Sequence, residues 1–125
     1  MLSKKKNLLI LTQASYETGF GHLKRCIFLS KKLKKYFKIY YIKKNISKKF
    51  LPKEYNILNC KNFTKNEKLK FSTLLIDLKK IDIDHVKLIK NLNIANKIII
   101  SDKIEKKLKP NISIIPYILK KNYNN

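Results

Sequence analysis

A short stretch near the start of the chain holds most of its chemically distinctive residues. Residues 19–25, GFGHLKR, contain both glycines of the 125-residue chain, one of its two histidines, His22, and its only arginine, Arg25. Imidazole is the side chain that most often transfers protons near neutral pH, and guanidinium forms forked hydrogen bonds with carboxylates and phosphates. The stretch therefore predicts a site where His22 moves a proton and Arg25 contacts a ligand or a structural partner.

The two glycines frame a turn, Gly19-Phe20-Gly21, that joins an apolar run to a helical pattern. Gly19 can adopt a positive φ, and Gly21 lets a ligand or a neighbouring loop approach the backbone. Free N–H groups at the start of the following helix favour an anion or an electron-rich oxygen. Lys24 stands where the dinucleotide-binding fingerprint has its third glycine, and no P-loop pattern is present. The turn therefore predicts a phosphate or sugar cradle of another kind.

His22 falls in the first turn of the predicted helix, among many lysines. The positive end of the helix dipole and the lysine charges both favour the uncharged imidazole, which can accept a proton from water or from a sugar hydroxyl. The alternative is that His22 only closes the turn, but the neighbouring glycines and Arg25 favour the chemical role. Cys26, on the apolar side of the same helix, is expected to be a buried core residue.

Alternating strand and helix patterns must position these residues. Continuous apolar or β-branched runs predict strands, and apolar residues at three- and four-residue steps predict helices. The predicted strands are 6–12, 37–43, 55–59, 72–77, 96–101 and a last one from 111, with helices at 21–36 and 81–92 and a short helix before Pro52. This alternation predicts a single α/β domain over residues 1–125, with a parallel sheet flanked by helices.

The carboxyl ends of parallel strands meet at one edge of the sheet, and that edge is where such folds bind ligands. Three polar features fall there in the predicted topology: the loop from Thr12 to His22, Asp77 after the fourth strand, and Asp102 after the fifth. We therefore expect Asp77 and Asp102 to converge with the His22 loop on one binding edge.

The net charge of +22 comes almost wholly from lysines spread along the chain. Base and phosphate recognition favours the planar fork of arginine, and neither a zinc-finger spacing nor an aromatic RNA-binding motif is present. Specific nucleic-acid binding is therefore not expected, whereas non-specific adhesion to polyanions at low salt is. Two cysteines, no signal-peptide core and no run of about 18 apolar residues predict a cytoplasmic protein with no membrane span.

The segment TGFGHLKRCIFLSKKL, residues 18–33, resembles the N-terminal signature of a family of nucleotide-sugar hydrolases. These are the UDP-2,4-diacetamido-2,4,6-trideoxy-β-L-altropyranose hydrolases of pseudaminic acid biosynthesis, which share the signature with spore-coat polysaccharide proteins. Its core stands here as Gly19, Gly21, His22, Arg25 and Cys26. Residues 71–92 are similar, less specifically, to the family's strand–Asp–helix segment, and residues 96–118 to its next strand, acidic turn and closing strand.

The resemblance implies the N-terminal, Rossmann-like domain of a glycosyltransferase-B fold. It implies that His22 is the catalytic residue, activating water at the anomeric carbon of a nucleotide sugar without a metal or a cofactor. We expect the substrate-binding residues to be Gly19, Phe20, Gly21, Arg25, Asp77 and Asp102. The resemblance also implies a partner, a second Rossmann-like domain or subunit that supplies most of the nucleotide contacts in the family, which we expect to lie outside this chain.

Two positions depart from the family pattern. Lys79 stands where the family has an active-site tyrosine, and Lys103 stands where it has a second acid after Asp102. Two functions therefore stay open: a nucleotide-sugar hydrolase, or one half of a split or truncated enzyme of that kind, and a non-catalytic module of the same fold that docks a partner domain. A third function, nucleic-acid binding, rests on charge alone.

Overall fold

Six strands and two helices make up the described part of the chain, which the computed structural model covers at residues 4–44, 46–59, 69–101 and 108–114. The elements, in chain order, are β1 (Lys6–Thr12), α1 (Gly21–Leu33), β2 (Phe37–Lys43), β3 (Asn56–Asn59), β4 (Thr73–Asp77), α2 (Ile83–Leu92), β5 (Asn96–Ile100) and β6 (Ile112–Ile114), with a short 3₁₀ turn at Lys48–Phe50. The strands form one parallel sheet in the order β3-β2-β1-β4-β5-β6. This confirms the predicted α/β fold and its Rossmann-like sheet.

Strand β1, at the centre of the sheet, shows why the fold has three layers. Its apolar run is buried on both faces, because successive side chains of a strand point to opposite sides. Leu8 and Ile10 belong to the core cluster that includes Leu23 of α1. Leu9 and Leu11 belong to the second cluster, which includes residues of α2. The two helices therefore cover opposite faces of the sheet.

The strand order reverses at the centre of the sheet, between β1 and β4. β1 pairs with β2 on one side and with β4 on the other, and Thr12 is aligned with Asp77 at the ends of their strands. In open parallel sheets the crevice at such a reversal is where ligands bind. The fold therefore brings the β1–α1 loop and Asp77 to the same point of the carboxyl edge.

Both helices are shorter than the sequence pattern predicts. α1 ends at Leu33 rather than at residue 36, because residues 34–36 form a turn that lets β2 begin beside the start of β1. α2 begins at Ile83 rather than at residue 81, because the Asp82 side chain caps the helix by accepting a hydrogen bond from the backbone N–H of His85. The strand bounds agree with the prediction to within one residue.

Several large apolar side chains are exposed at the helix surfaces, in the loops and on the edge strand β6. They are Tyr16, Phe28, Tyr36, Ile83, Ile112 and Ile114. Among the helices of the described ranges, none has the length and apolar character needed to cross a membrane.

Candidate functional site

His22 and Asp77 form a hydrogen-bonded pair at the carboxyl edge of the sheet. His22 is the second residue of α1, and Asp77 is the last residue of β4. The Nδ1 atom of His22 lies 2.6 Å from Oδ1 of Asp77, so Nδ1 carries a proton and donates a hydrogen bond to the carboxylate. The Asp77 side chain is fully buried, whereas 24% of the His22 side chain is exposed. In the uncharged ring, Nε2 is then left with a lone pair.

Arg25 binds the same carboxylate as a fork. Its Nε lies 2.6 Å from Oδ2 of Asp77, and its Nη2 lies 2.7 Å from Oδ1. His22 and Arg25 are three residues apart on α1, so both project from one side of the helix toward Asp77. The guanidinium charge compensates a carboxylate that would be costly to bury alone. Of the two roles expected for Arg25, contact with a structural partner and contact with a ligand, the structure shows the first. Its contact with a substrate stays a prediction.

Two further groups hold Asp77 in place. The hydroxyl of Thr12 donates to the backbone carbonyl of Asp77 at 2.9 Å, and the thiol of Cys26 lies 3.8 Å from Oδ2. Burial, together with the charge of Asp77, raises the pKa of the Cys26 thiol to about 12. The thiol is therefore protonated at neutral pH and is a poor nucleophile. Cys26 is completely buried, which confirms its expected place in the core.

The β1–α1 loop closes on itself before α1 begins. Ser15 and Gly19 exchange two backbone hydrogen bonds, of 2.8 and 3.4 Å, and Gly19 has the predicted positive φ, +84°. Phe20, the N-cap residue, offers no side-chain cap, so the first N–H groups of α1 are not satisfied by its side chain. A Cβ at Gly21 would meet no atom within 4 Å, so the space in front of this residue is open.

An aromatic rim, defined as Tyr16, Phe20 and Phe50, adjoins the His22 loop. The three rings meet edge to face, with centroids 5.8 Å apart for Tyr16 and Phe20, 5.9 Å for Tyr16 and Phe50, and 5.0 Å for Phe20 and Phe50. Tyr16 is 82% exposed. The rim therefore presents an apolar ring surface to solvent beside the start of α1.

A cleft of about 640 Å³ opens between the β1–α1 loop and the segment that joins β4 to α2. It is lined by Gln13, Ser15, Thr18, Lys79, Lys80, Asp82 and His85. Burial lowers the pKa of the His85 imidazole below its usual value, which keeps the ring uncharged at neutral pH. The backbone N–H of His85 in turn lowers the pKa of the Asp82 carboxyl.

Sequence reasoning did not select Gln13 or His85 as site residues. Gln13 follows a strand without any motif, and His85 sits at a helical spacing that is typical of core residues. The signal that could have found them is their position, because both belong to segments that leave the sheet at the reversal of strand order.

The predicted site residues have three outcomes. His22 and Asp77 meet at one point, as the topology predicted, and Arg25 binds the same carboxylate. Asp77 is completely buried, so we interpret it as a positioning residue for His22 and Arg25 rather than as a direct substrate contact. Gly19 and Phe20 lie in the turn that precedes α1, Gly21 is the first residue of that helix, and the substrate contacts of all three stay predictions. Asp102 lies outside the described residues.

The chemistry available in the described ranges is that of His22 with its two partners, Asp77 and Arg25. In those ranges no group of three or more His, Cys, Asp or Glu side chains is placed to hold a metal ion. No family model, no curated protein and no solved structure matches the chain. Function is therefore inferred from the geometry of this site and from the resemblance carried by residues 18–33.

Proposed function

We propose that the chain is the catalytic domain of a nucleotide-sugar hydrolase, in which His22 activates a water molecule for attack on the anomeric carbon. The observation that carries the proposal is the His22–Asp77 pair, with a 2.6 Å hydrogen bond at Nδ1. A partly exposed histidine held by a buried carboxylate is an established general-base arrangement in hydrolytic enzymes. UDP-sugars are the substrate class that the resemblance of residues 18–33 implies.

The proposed reaction moves one proton and exchanges one bond. Nε2 of His22 takes a proton from water while the water oxygen bonds to the anomeric carbon. The bond from that carbon to the diphosphate oxygen breaks, and the nucleoside diphosphate leaves with the bonding electrons. Attack from the side opposite the leaving group inverts the anomeric configuration. Asp77 stabilises the imidazolium that forms, and Arg25 keeps the carboxylate in position until the proton passes to solvent.

Two features of the surroundings support this proposal. The pair lies at the reversal of strand order, where open parallel sheets bind ligands. The turn before it leaves open space in front of Gly21, and the uncapped N-terminus of α1 favours the oxygens of a sugar diphosphate.

The test is release of UDP from a panel of UDP-sugars, including the diacetamido-trideoxy-altropyranose, by the full chain. We expect His22→Ala to lower kcat/KM by at least about 100-fold, because general-base catalysis contributes about 10²- to 10⁴-fold. Lys24→Ala is the matched control, since Lys24 is an exposed residue of the same helix, and it should leave the rate unchanged. Thermal unfolding of each variant separates loss of chemistry from loss of fold. Equal rates for the wild type and His22→Ala would refute the assignment.

The aromatic rim favours a second candidate, a non-catalytic module that docks a partner domain. An 82% exposed tyrosine packed on two phenylalanines provides the kind of ring surface that interfaces use. This candidate expects no UDP release and expects association that Tyr16→Ser weakens, measured by sedimentation velocity on the full chain. A wild-type chain that stays monomeric and hydrolyses UDP-sugars would exclude it.

A further inference from the structure

The outward side of α1 carries an exposed phenylalanine surrounded by lysines. The helix packs on the sheet through three buried residues, Leu23, Cys26 and Ser30. On the opposite side is a surface that we call the basic face, made of Lys24, Phe28, Lys31 and Lys32. At 3.6 residues per turn these four share an arc of about 100° of the helix. All four are exposed, and Phe28, at the middle of the arc, is 61% exposed.

Nothing within the helix accounts for this composition. No Asp or Glu lies between Gly21 and Leu33, so no acid of α1 offsets the lysine charges at a spacing of three or four residues. Phenylalanine is a weaker helix former than lysine, so helix propensity does not explain Phe28. The Nζ atom of Lys32 lies 5.6 Å from the centroid of the Phe28 ring, which is a contact between two members of the face. Tyr36, in the turn after the helix, adds a second aromatic side chain that is 69% exposed.

The outward side of α2, which covers the opposite face of the sheet, has a different character. Its exposed residues include Asp84 and Lys87, which carry opposite charges three residues apart. Such mixed charges are typical of a helix surface that faces water. The two sides of the sheet therefore differ in charge, and the lysine-only surface belongs to α1.

The combination of lysines with an exposed aromatic ring fits the surface of an anionic bilayer. Each lysine near such a surface strengthens binding, and its flexible stem keeps the ammonium group at the headgroups while a neighbouring ring enters the interface. Aromatic side chains are enriched at that depth of the membrane. A nucleic acid fits this face less well, because Arg25, the only arginine, is engaged by Asp77 and the face is a convex helix rather than a groove.

We infer that the basic face of α1 binds the surface of an anionic lipid bilayer. The ring of Phe28 lies at the boundary between headgroups and acyl chains, and the lysines contact the lipid phosphates and carboxylates. His22 and Arg25 project from α1 toward Asp77, so the basic face is separate from the candidate site. The inference therefore does not depend on the proposed hydrolase activity.

The test uses the absence of tryptophan from the chain, which makes a single introduced tryptophan a specific fluorescent reporter. Phe28→Trp is mixed with phosphatidylcholine vesicles that contain about one third phosphatidylserine, in about 150 mM salt. We expect a saturable blue shift of the emission, and none with pure phosphatidylcholine. Ile83→Trp is the matched reporter, since Ile83 is 69% exposed on α2, and its emission should stay that of a tryptophan in water. Circular dichroism confirms that both variants fold.

Charge-matched variants separate the basic face from the overall charge, with vesicle co-sedimentation of the full chain as the measurement. Lys24→Gln/Lys31→Gln should weaken binding by about 30-fold, since each lysine at the surface contributes about fivefold. Lys87→Gln/Lys90→Gln removes the same charge from exposed positions of α2 and should leave binding unchanged. Phe28→Ala should weaken binding by about tenfold, because the inserted apolar ring is lost.

Four results would overturn the inference. The first two are equal weakening by both lysine pairs and equal blue shifts from both tryptophan reporters. The third is binding that does not depend on phosphatidylserine. The fourth is a single-stranded oligonucleotide that binds Phe28→Trp more tightly than the vesicles do at the same salt concentration, which would assign the basic face to nucleic acid.

Discussion

Replacing Asp77 by Asn tests whether one buried carboxylate holds the site together. Asn keeps the shape of the side chain but carries no charge, and its NH₂ end cannot accept a hydrogen bond. Arg25 then loses a charged acceptor at 2.6 and 2.7 Å. Removing one partner of a buried ion pair costs about 3–5 kcal/mol. Because 36% of the Arg25 side chain is exposed and water can solvate part of its charge, we expect a loss of about 2–3 kcal/mol.

Thermal unfolding followed by circular dichroism measures this loss. At typical per-residue values, 125 residues unfold with an entropy of about 0.26 kcal/mol/K, so the Tm should fall by about 8–12 °C. Arg25→Gln removes the other partner, and the double variant removes both charges. We expect the double variant to be more stable than the sum of the single effects predicts, by at least about 1.5 kcal/mol. Effects that add to within about 0.5 kcal/mol would refute the buried ion pair.

The same variant should affect catalysis through the histidine. An Asn amide that turns its NH₂ group toward Nδ1 favours the ring protonated at Nε2, which cannot take a proton from water. UDP release by Asp77→Asn should therefore fall nearly as far as with His22→Ala, and further than with Arg25→Gln. If Asp77→Asn were folded and as active as the wild type, Asp77 would have no positioning role.

Three further variants test the local geometry. Gly19 has a φ of +84°, so Gly19→Ala should lower the free energy of unfolding, measured in urea, by about 1–2 kcal/mol. Gly21→Ala should leave that free energy unchanged or raise it, since a Cβ at Gly21 meets no atom within 4 Å. Equal losses would contradict the turn. Asn93 is the left-handed C-cap of α2, so Asn93→Val should lower the free energy of unfolding by about 1–2 kcal/mol, whereas Asn93→Gly should leave it unchanged. A Val variant as stable as the wild type would argue against that cap. In a Cys60→Ser background, Cys26 should resist iodoacetamide at about pH 8 until the chain is unfolded, because burial raises its pKa to about 12; rapid labelling of the native chain would contradict its burial.

The convergence of His22 and Asp77 could be predicted because it depends only on topology. The apolar runs of β1 and β4 are long enough to be recognised as buried strands, and parallel strands place the residues that follow them on one edge. The positive φ of Gly19 could likewise be predicted, since glycine adopts that conformation most easily.

The side-chain partners could not be predicted from the sequence. Arg25 and Asp77 are 52 residues apart, and their fork depends on the rotation of α1 against the sheet, which no local pattern sets. The unpartnered state of Nε2 of His85 depends on burial by segments that are distant in the chain. The early end of α1 follows from the pairing of β2 with β1, whereas the local sequence would continue the helix.

The contacts from α1 to Asp77 span 52 and 55 residues, and β2 and β3 lie between them in the chain. Contacts of such separation form slowly during folding, because the intervening chain must first lose its freedom. None of the site exists until β4 inserts beside β1. A nascent chain that has completed β1, α1 and β2 still lacks the carboxylate around which the site is built. The proposed capacity for proton transfer therefore arises together with the pairing of β4 with β1, once the two halves of the sheet have joined.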